Sequence, residues 1–156
     1  MHAQTPVQLA WVTRDLDATE QTLTALLGAK KWVRMPDVHF APDACTYRGE
    51  PADFVAGISL SYAGDMQLEL IAPVTGRSIY TDFLDTSGPG MHHVCIEVDD
   101  VETALAERGV EAIQRGVMPG GMEFAYIEAA GVPYLEIASI PDEIRAFFDY
   151  IKQEQQ

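Results

Sequence analysis

The sequence predicts an α+β fold made of two βαβββ modules, about residues 6–74 and 90–139, followed by a C-terminal helix over about 140–153. Three observations carry this reading. The chain repeats itself, each copy opens on an alternating strand that runs into a helix, and each copy closes on a strand bearing a glutamate. With 47% apolar and 22% charged residues in a chain of 156, the composition is that of one globular domain whose halves share a core, not of a disordered chain.

The elements follow in order. Residues 7–13 read as the first strand, with Leu9 and Trp11 on one face and Gln8 and Ala10 on the other. A helix runs from about Asp17 to Leu27. Asp15 is placed to cap its free N–H groups, and Gly28 supplies the left-handed turn that ends it. Strands are expected at 31–34, 55–62 and 66–70, and in the last of these Leu68 and Leu70 oppose Gln67 and Glu69. Between 35 and 53 the chain is rich in Pro, Asp and Gly, and this stretch reads as a long loop over the cleft.

The second copy begins at 92–98, with His93, Cys95 and Glu97 on one face and His92, Val94, Ile96 and Val98 on the other. Its helix spans about Val101 to Arg108, between Asp100 and Gly109. Segments 112–115 and 124–128 are the next strands. The strand at 134–138 closes the copy, with Leu135 and Ile137 opposing Tyr134 and Glu136. Ile144, Phe147, Phe148 and Ile151 share one face of the C-terminal helix, which reads as a packing surface against the domain or a partner subunit.

A net charge of −14 argues against a nucleic-acid partner, which needs a basic face. Lys30, Lys31, Arg34, Arg48 and Arg77 read as solvated surface charges. No apolar run is long enough to span a bilayer and no signal pattern opens the chain, so the expected location is the cytoplasm. Cys45 and Cys95 are too few for a disulfide framework and read as reduced thiols. Residues 118–122 carry paired glycines without the strand–helix context of a phosphate loop and read as a turn.

Superimposing the two copies sets Gln8 opposite His93 and Glu69 opposite Glu136. All four lie on the polar faces of their strands. Singly, a Gln or Glu on a strand is ordinarily a solvated residue, and a lone His is ordinarily structural. Four of them at repeat-related positions form a pattern of another kind. Carboxylates on a buried sheet face would cost several kcal/mol unpaired, and a bound cation removes that cost. Two carboxylates, an imidazole and an amide oxygen suit Zn, Ni, Co, Mn or Fe, with one or two positions left for water or substrate. Strand parity places His92 on the opposite, helix-packed face.

These segments resemble the vicinal oxygen chelate superfamily, which unites glyoxalases, bleomycin-resistance proteins and extradiol dioxygenases. The resemblance is carried by residues 8–27, 67–73, 90–100 and 134–137. Residues 90–99 and 68–70, with Ser78, Ile79, Phe83 and Leu84 in a short helix, are similar to methylmalonyl-CoA epimerases. The set Gln8, Glu69, His93 and Glu136 is instead similar to that of glyoxalase I. The resemblance implies an open curved sheet, a cup, around one divalent metal ion held by the first and last strands of each module.

It further implies a metal-dependent isomerase, epimerase or lyase that removes a proton beside a carbonyl or carboxylate oxygen of a small molecule, in a protein that is commonly a homodimer. Glu136 is the implied base. A second carboxylate just before the third strand would fall on Asp53 or Glu50. Two alternatives stand on the same scaffold. One is a metal-free protein that sequesters a small molecule, and the complete quartet counts against it. The other is an oxygen-activating dioxygenase, where Gln8 in place of a second His counts against it. Residues 48–54 have no counterpart in either enzyme family, and the acidic composition offers no evident clamp for coenzyme A or glutathione.

Overall fold

The computed structural model describes residues 4–156. In chain order the elements are β1 (Pro6–Val12), α1 (Leu16–Leu27), β2 (Val33–Phe40), β3 (Cys45–Tyr47), β4 (Glu50–Pro51), β5 (Phe54–Ala63), β6 (Met66–Thr75) and α2 (Ile79–Ser87). The second half follows with β7 (Gly90–Glu97), α3 (Val101–Arg108), β8 (Gln114–Val117), β9 (Glu123–Glu128), β10 (Tyr134–Ser139) and α4 (Asp142–Gln153). Ten strands form one curled open sheet in the order β2-β5-β6-β1-β7-β10-β9-β8-β3-β4.

The centre of the sheet carries the repeat. β1 runs parallel to β6, the last strand of its own half, and antiparallel to β7, the first strand of the other. β7 in turn runs parallel to β10. The first and last strands of both copies therefore lie side by side, as the block β6-β1-β7-β10.

The helices start and stop where the sequence says they should. Asp15 and Asp100 accept hydrogen bonds from the N–H groups of Ala18 and Thr103, satisfying donors that the first helical turn leaves free. Gly28 ends α1 at a φ of 79°, a left-handed conformation that only glycine adopts without strain. α3 lies on the convex face, packing Val101, Ala104 and Leu105 against Ile96, Ala125, Ile127 and Ile137. α1 rests on β6.

The concave face is filled rather than hollow. Val12, Phe40, Phe54, Ile58, Ile71, Phe124 and Tyr126 pack there with Ile79, Tyr80, Phe83 and Leu84 of α2. Ile151 of α4, fully buried, joins the same cluster, with Phe147 and Phe148 against it. Ile144 and Phe148 also reach Cys95, Met122 and Ala138. The C-terminal helix thus packs on its own domain, across the mouth of the cup. Each large side chain removed from water in this way contributes about 1.5–3 kcal/mol before the entropy of ordering it.

The stretch 35–53 is not the loop the sequence suggested. Its first residues extend β2 to Phe40, through an irregular step between Met35 and Val38. A tight turn follows, with the N–H groups of Ala44 and Cys45 both bonded to the carbonyl of Ala41 at 3.0 Å. β3 then pairs antiparallel with β8 of the other half, and β4 forms the final edge. β2 and β3 stand at opposite ends of the strand order yet only a four-residue turn separates them. The sheet must curl until its two ends nearly meet, and Phe40 accordingly stands edge-on to Phe124 of β9 at 5.9 Å. Strands of two or three residues are too short to show periodicity among so many Pro, Asp and Gly residues.

Candidate metal centre

Four adjacent strands aim one polar side chain each at the same point inside the cup. Ala10 sits in the middle of the arrangement. In the ladder it faces Glu69 on one side and His93 on the other, and it is fully buried. Its methyl group leaves the space into which the longer side chains lean. Gln8, two residues earlier on the same face, is registered between Gln67 and Cys95. Glu136 enters from β10, one strand beyond β7.

The focus is Nε2 of His93. Oε1 of Gln8 lies 3.1 Å from it, and Oε1 of Glu69 and of Glu136 each lie 3.4 Å away. Ligand atoms of Glu69, His93 and Glu136 all fall within 4.8 Å of one another. All three residues are buried, as is Gln8. The amide of Gln8 is oriented by a second contact, since its Nε2 donates to Oε1 of Gln67 at 2.6 Å. Gln67 in turn donates to the hydroxyl of Tyr62 at 3.2 Å. This chain turns the Gln8 oxygen, rather than its NH₂ group, toward the focus.

The electrostatics favour positive charge on His93. Burial, and secondarily the charge of Glu136, push the Glu69 carboxyl up despite its contact with His93. Burial on its own would lower His93, but hydrogen bonds and charge from Glu136 and Glu69 override it and lift the imidazole to about 9. Two buried carboxyl groups thus hold the imidazole between them in its protonated form. Burial, then the charges of Glu136 and Glu69, also hold the phenol of Tyr126 well above its ordinary range. The Cys95 thiol is pushed up by burial and by Glu136, so it is a poor nucleophile that lines the site.

Space for a small molecule adjoins the cluster. A cavity of about 160 Å³ lies between α4 and the sheet, bordered by Gln8, Gln67, Cys95 and Glu136 below and by Arg145 and Phe148 above. A pocket of about 10 Å³ on the inner side, the room of one water, touches Glu69, Glu136, Tyr80 and Tyr126. Glu136 borders both spaces.

Asp53 and Glu50 are not brought to this cluster. Both are exposed at the sheet edge, and Asp53 is paired with Nε2 of His39 at 2.6 Å. Residues 48–53 form the β3–β4 turn, the β4 edge and its link to β5, and the Glu50 and Asp53 side chains are exposed there instead of entering the cup. His92 departs from its expected place in the opposite sense. Ala10 pairs with His93 but Trp11 pairs with Met91, so His92 is an extra residue in the strand. This β-bulge turns its side chain away from the helix-packed outer face and against His93, Tyr80 and Tyr126. A bulge has no signature in strand alternation. Gln67 shares its strand face with Glu69, but its repeat counterpart is Tyr134, so the repeat does not single it out.

The glyoxalase/bleomycin resistance protein/dioxygenase superfamily model matches residues 7–126. The mitochondrial methylmalonyl-CoA epimerase of Mus musculus is 39% identical over 54 residues, which is 33% of this chain and 30% of that protein. The matched segment thus spans under a third of that relative. Among solved structures, methylmalonyl-CoA epimerase from Mycobacterium tuberculosis superposes with a TM-score of 0.63 at 19% identity, covering 94% of this chain and 97% of its own. A hypothetical protein from Bacillus halodurans gives 0.64 at 18% identity, over 90% and 97%. At such identities these two likenesses speak for the fold. Among the described residues no helix is long and apolar enough to cross a membrane.

Proposed function

Because the chain belongs to the glyoxalase/bleomycin resistance/dioxygenase superfamily, we propose that it is a divalent-metal-dependent isomerase of the epimerase type, acting on a small carbonyl or carboxylate compound. The observation that carries the reading is the convergence of three oxygens, from Gln8, Glu69 and Glu136, on Nε2 of His93 at 3.1–3.4 Å. The residues fit a divalent ion. Two carboxylates balance its charge, the imidazole and amide oxygen complete a borderline-to-hard donor set, and Gln67 holds the amide in the ligating orientation. When bound there, the ion would act as a Lewis acid toward a substrate oxygen, easing removal of a proton from the neighbouring carbon.

The remaining work falls to the chain. Glu136 is the base, since it is the cluster carboxylate that borders the cavity under α4 as well as the inner pocket. Glu69 is the second carboxylate of the same cluster and helps balance the ion's charge from the inner pocket, while Asp53 and Glu50 lie exposed away from the cluster. Phe148 and Met122 form part of the apolar lining of the cavity, and a substrate seated against them would displace water there and strengthen the charge interactions beside it. The cavity of about 160 Å³ under α4 is open on one side and suits the reacting end of a small molecule, such as an acyl group or a small acid. The names of the neighbouring epimerases make acyl thioesters the first class to test, with α-hydroxy and α-keto acids next.

The test begins with metal content of wild type, His93→Ala and Glu136→Ala by elemental analysis. About one ion per chain, lost in both variants, is expected. A screen for solvent-deuterium exchange over those substrate classes should then find exchange in wild type and none in Glu136→Ala. A wild type that stays empty after reconstitution with Zn, Ni, Co, Mn and Fe(II) would overturn the proposal in favour of metal-free sequestration.

A further inference from the structure

We infer that His92 is a positioning residue for the metal centre: its Nδ1 accepts a hydrogen bond from Nδ1–H of His93 and so keeps Nε2 of His93 directed at the metal. The inference rests on the metal-centre reading above. The two Nδ1 atoms lie 2.8 Å apart, both rings fully buried. A contact of that length holds one proton.

Only two arrangements are open. If His92 donates, His93 is neutral and its own proton sits on Nε2, where it blocks the position the four side chains surround. The two buried carboxylates would then face no countercharge, a costly state inside a protein. If His93 donates, the carboxylates can have a cation at Nε2, and Nδ1–H is unchanged whether that cation is a proton or a metal. The chemistry of the cluster selects the second arrangement. The strand geometry allows it, because the bulge at His92 puts two consecutive side chains on one side of the sheet.

The arrangement fixes the other nitrogen too. A neutral His92 that accepts at Nδ1 carries its hydrogen on Nε2, and that atom is buried with no hydrogen-bond partner among the described residues. Around it stand the rings of Tyr80, Phe83, Tyr126 and Tyr134, with centroids 4.9–5.6 Å from that of His92. Such a cage tolerates an N–H through weak contact with ring electrons. It also locks the ring, so His92 orients His93 by packing and by one hydrogen bond together. A metal-bound histidine more often donates to a carboxylate or carbonyl. Here the neutral imidazole adds no third negative charge beside Glu69 and Glu136.

The experiment reads the protons directly. Long-range nitrogen–hydrogen correlation spectra of the full chain, labelled with ¹⁵N in histidine, would be recorded metal-free and with zinc. Both states should show hydrogen on Nε2 of His92 and on Nδ1 of His93, with Nε2 of His93 changing on zinc addition. Hydrogen on Nδ1 of His92 would overturn the inference. Zinc affinity of two variants gives a second reading. His92→Phe, which keeps the ring and removes the acceptor, should bind about 10–100-fold more weakly. His92→Asn, which sets an amide oxygen near the Nδ1 position, should recover most of that loss. Equal loss in both, or none in either, would count against the inference. If His92→Phe does not fold, the wild-type spectra decide. If wild type takes up no zinc, the metal-centre reading fails, while the metal-free spectra still decide which histidine donates.

Discussion

At the scale of single residues, the site depends on His93 holding positive charge that its neighbours supply a reason for. Burial alone would lower His93, but Glu136 and Glu69 lift the imidazole to about 9 from its ordinary 6.5 when no ion is bound. A raised value means that the proton stabilises the fold fully below pH 6.5 and that this stabilisation is lost as pH rises through 9. Glu69, whose carboxyl is raised by burial, acts in the same direction at lower pH. Chelated protein should therefore melt progressively lower between pH 6.5 and 9, and zinc should flatten that slope because the ion replaces the proton. Calorimetric melts across this range with and without chelator check the sign. A melting temperature that rises with pH in the chelated protein would contradict it. Ala10 supplies a second residue-scale prediction. Ala10→Leu would fill the space between Glu69 and His93, costing about 1–3 kcal/mol by overpacking and weakening zinc binding more than tenfold. Ala10→Gly should keep binding near wild type.

At the scale of elements, α4 decides what the site is exposed to. Its four apolar residues were legible as a helical stripe, but where the stripe docks depends on the shape of the cup and on no local signal. Ile151 is fully buried, and Ile151→Ala should cost about 2–5 kcal/mol. The ion pairs that flank the helix, Arg145 with Glu97 and Lys152 with Asp65, are exposed to solvent, which screens them, and each should contribute little. Loosening α4 uncovers the floor beneath it, which includes Cys95. Ile151→Ala should therefore speed labelling of Cys95 by a thiol reagent severalfold, with Lys152→Ala close to wild type, as read by mass spectrometry. Equal rates in all three proteins would mean that α4 does not guard the cavity. The four ligand candidates were legible for a converse reason: strand parity and the repeat each locate them, and neither depends on loop length. Glu50 and Asp53 were located by counting through an insertion, where register is lost. His92 was misplaced because parity holds only until a bulge breaks it.

At the scale of the whole molecule, the two halves are not equal partners. The first sends β3 and β4 across to the free edge of the second, and the four-residue turn before β3 ties the ends of the curled sheet together. The repeat predicts two modules of the same element order but unequal length, and an exchange of this kind cannot be read from either copy alone. It makes the cup's curvature a covalent matter: β3 can stay on β8 only while β2 stays close to β9. The tightest point of this closure is Gly116 on β8. A Cβ there would lie 2.4 Å from the carbonyl oxygen of Ala44 and 2.6 Å from Sγ of Cys45, and both belong to backbone or short side chains that cannot swing aside. Gly116→Ala should push β3 off the edge, costing about 1–3 kcal/mol and exposing the otherwise buried Cys45 thiol to labelling. Because Phe40 and Phe124 meet across the closure and line the inner pocket with Glu69 and Glu136, the same change should weaken zinc binding from a distance. Gly28→Ala serves as the control: nothing lies near its Cβ, so it should cost about 1 kcal/mol of backbone strain and leave zinc binding intact. If Gly116→Ala labels at Cys45 yet binds zinc as wild type does, the centre is held by the four central strands alone, and the crossing strands serve only the edge.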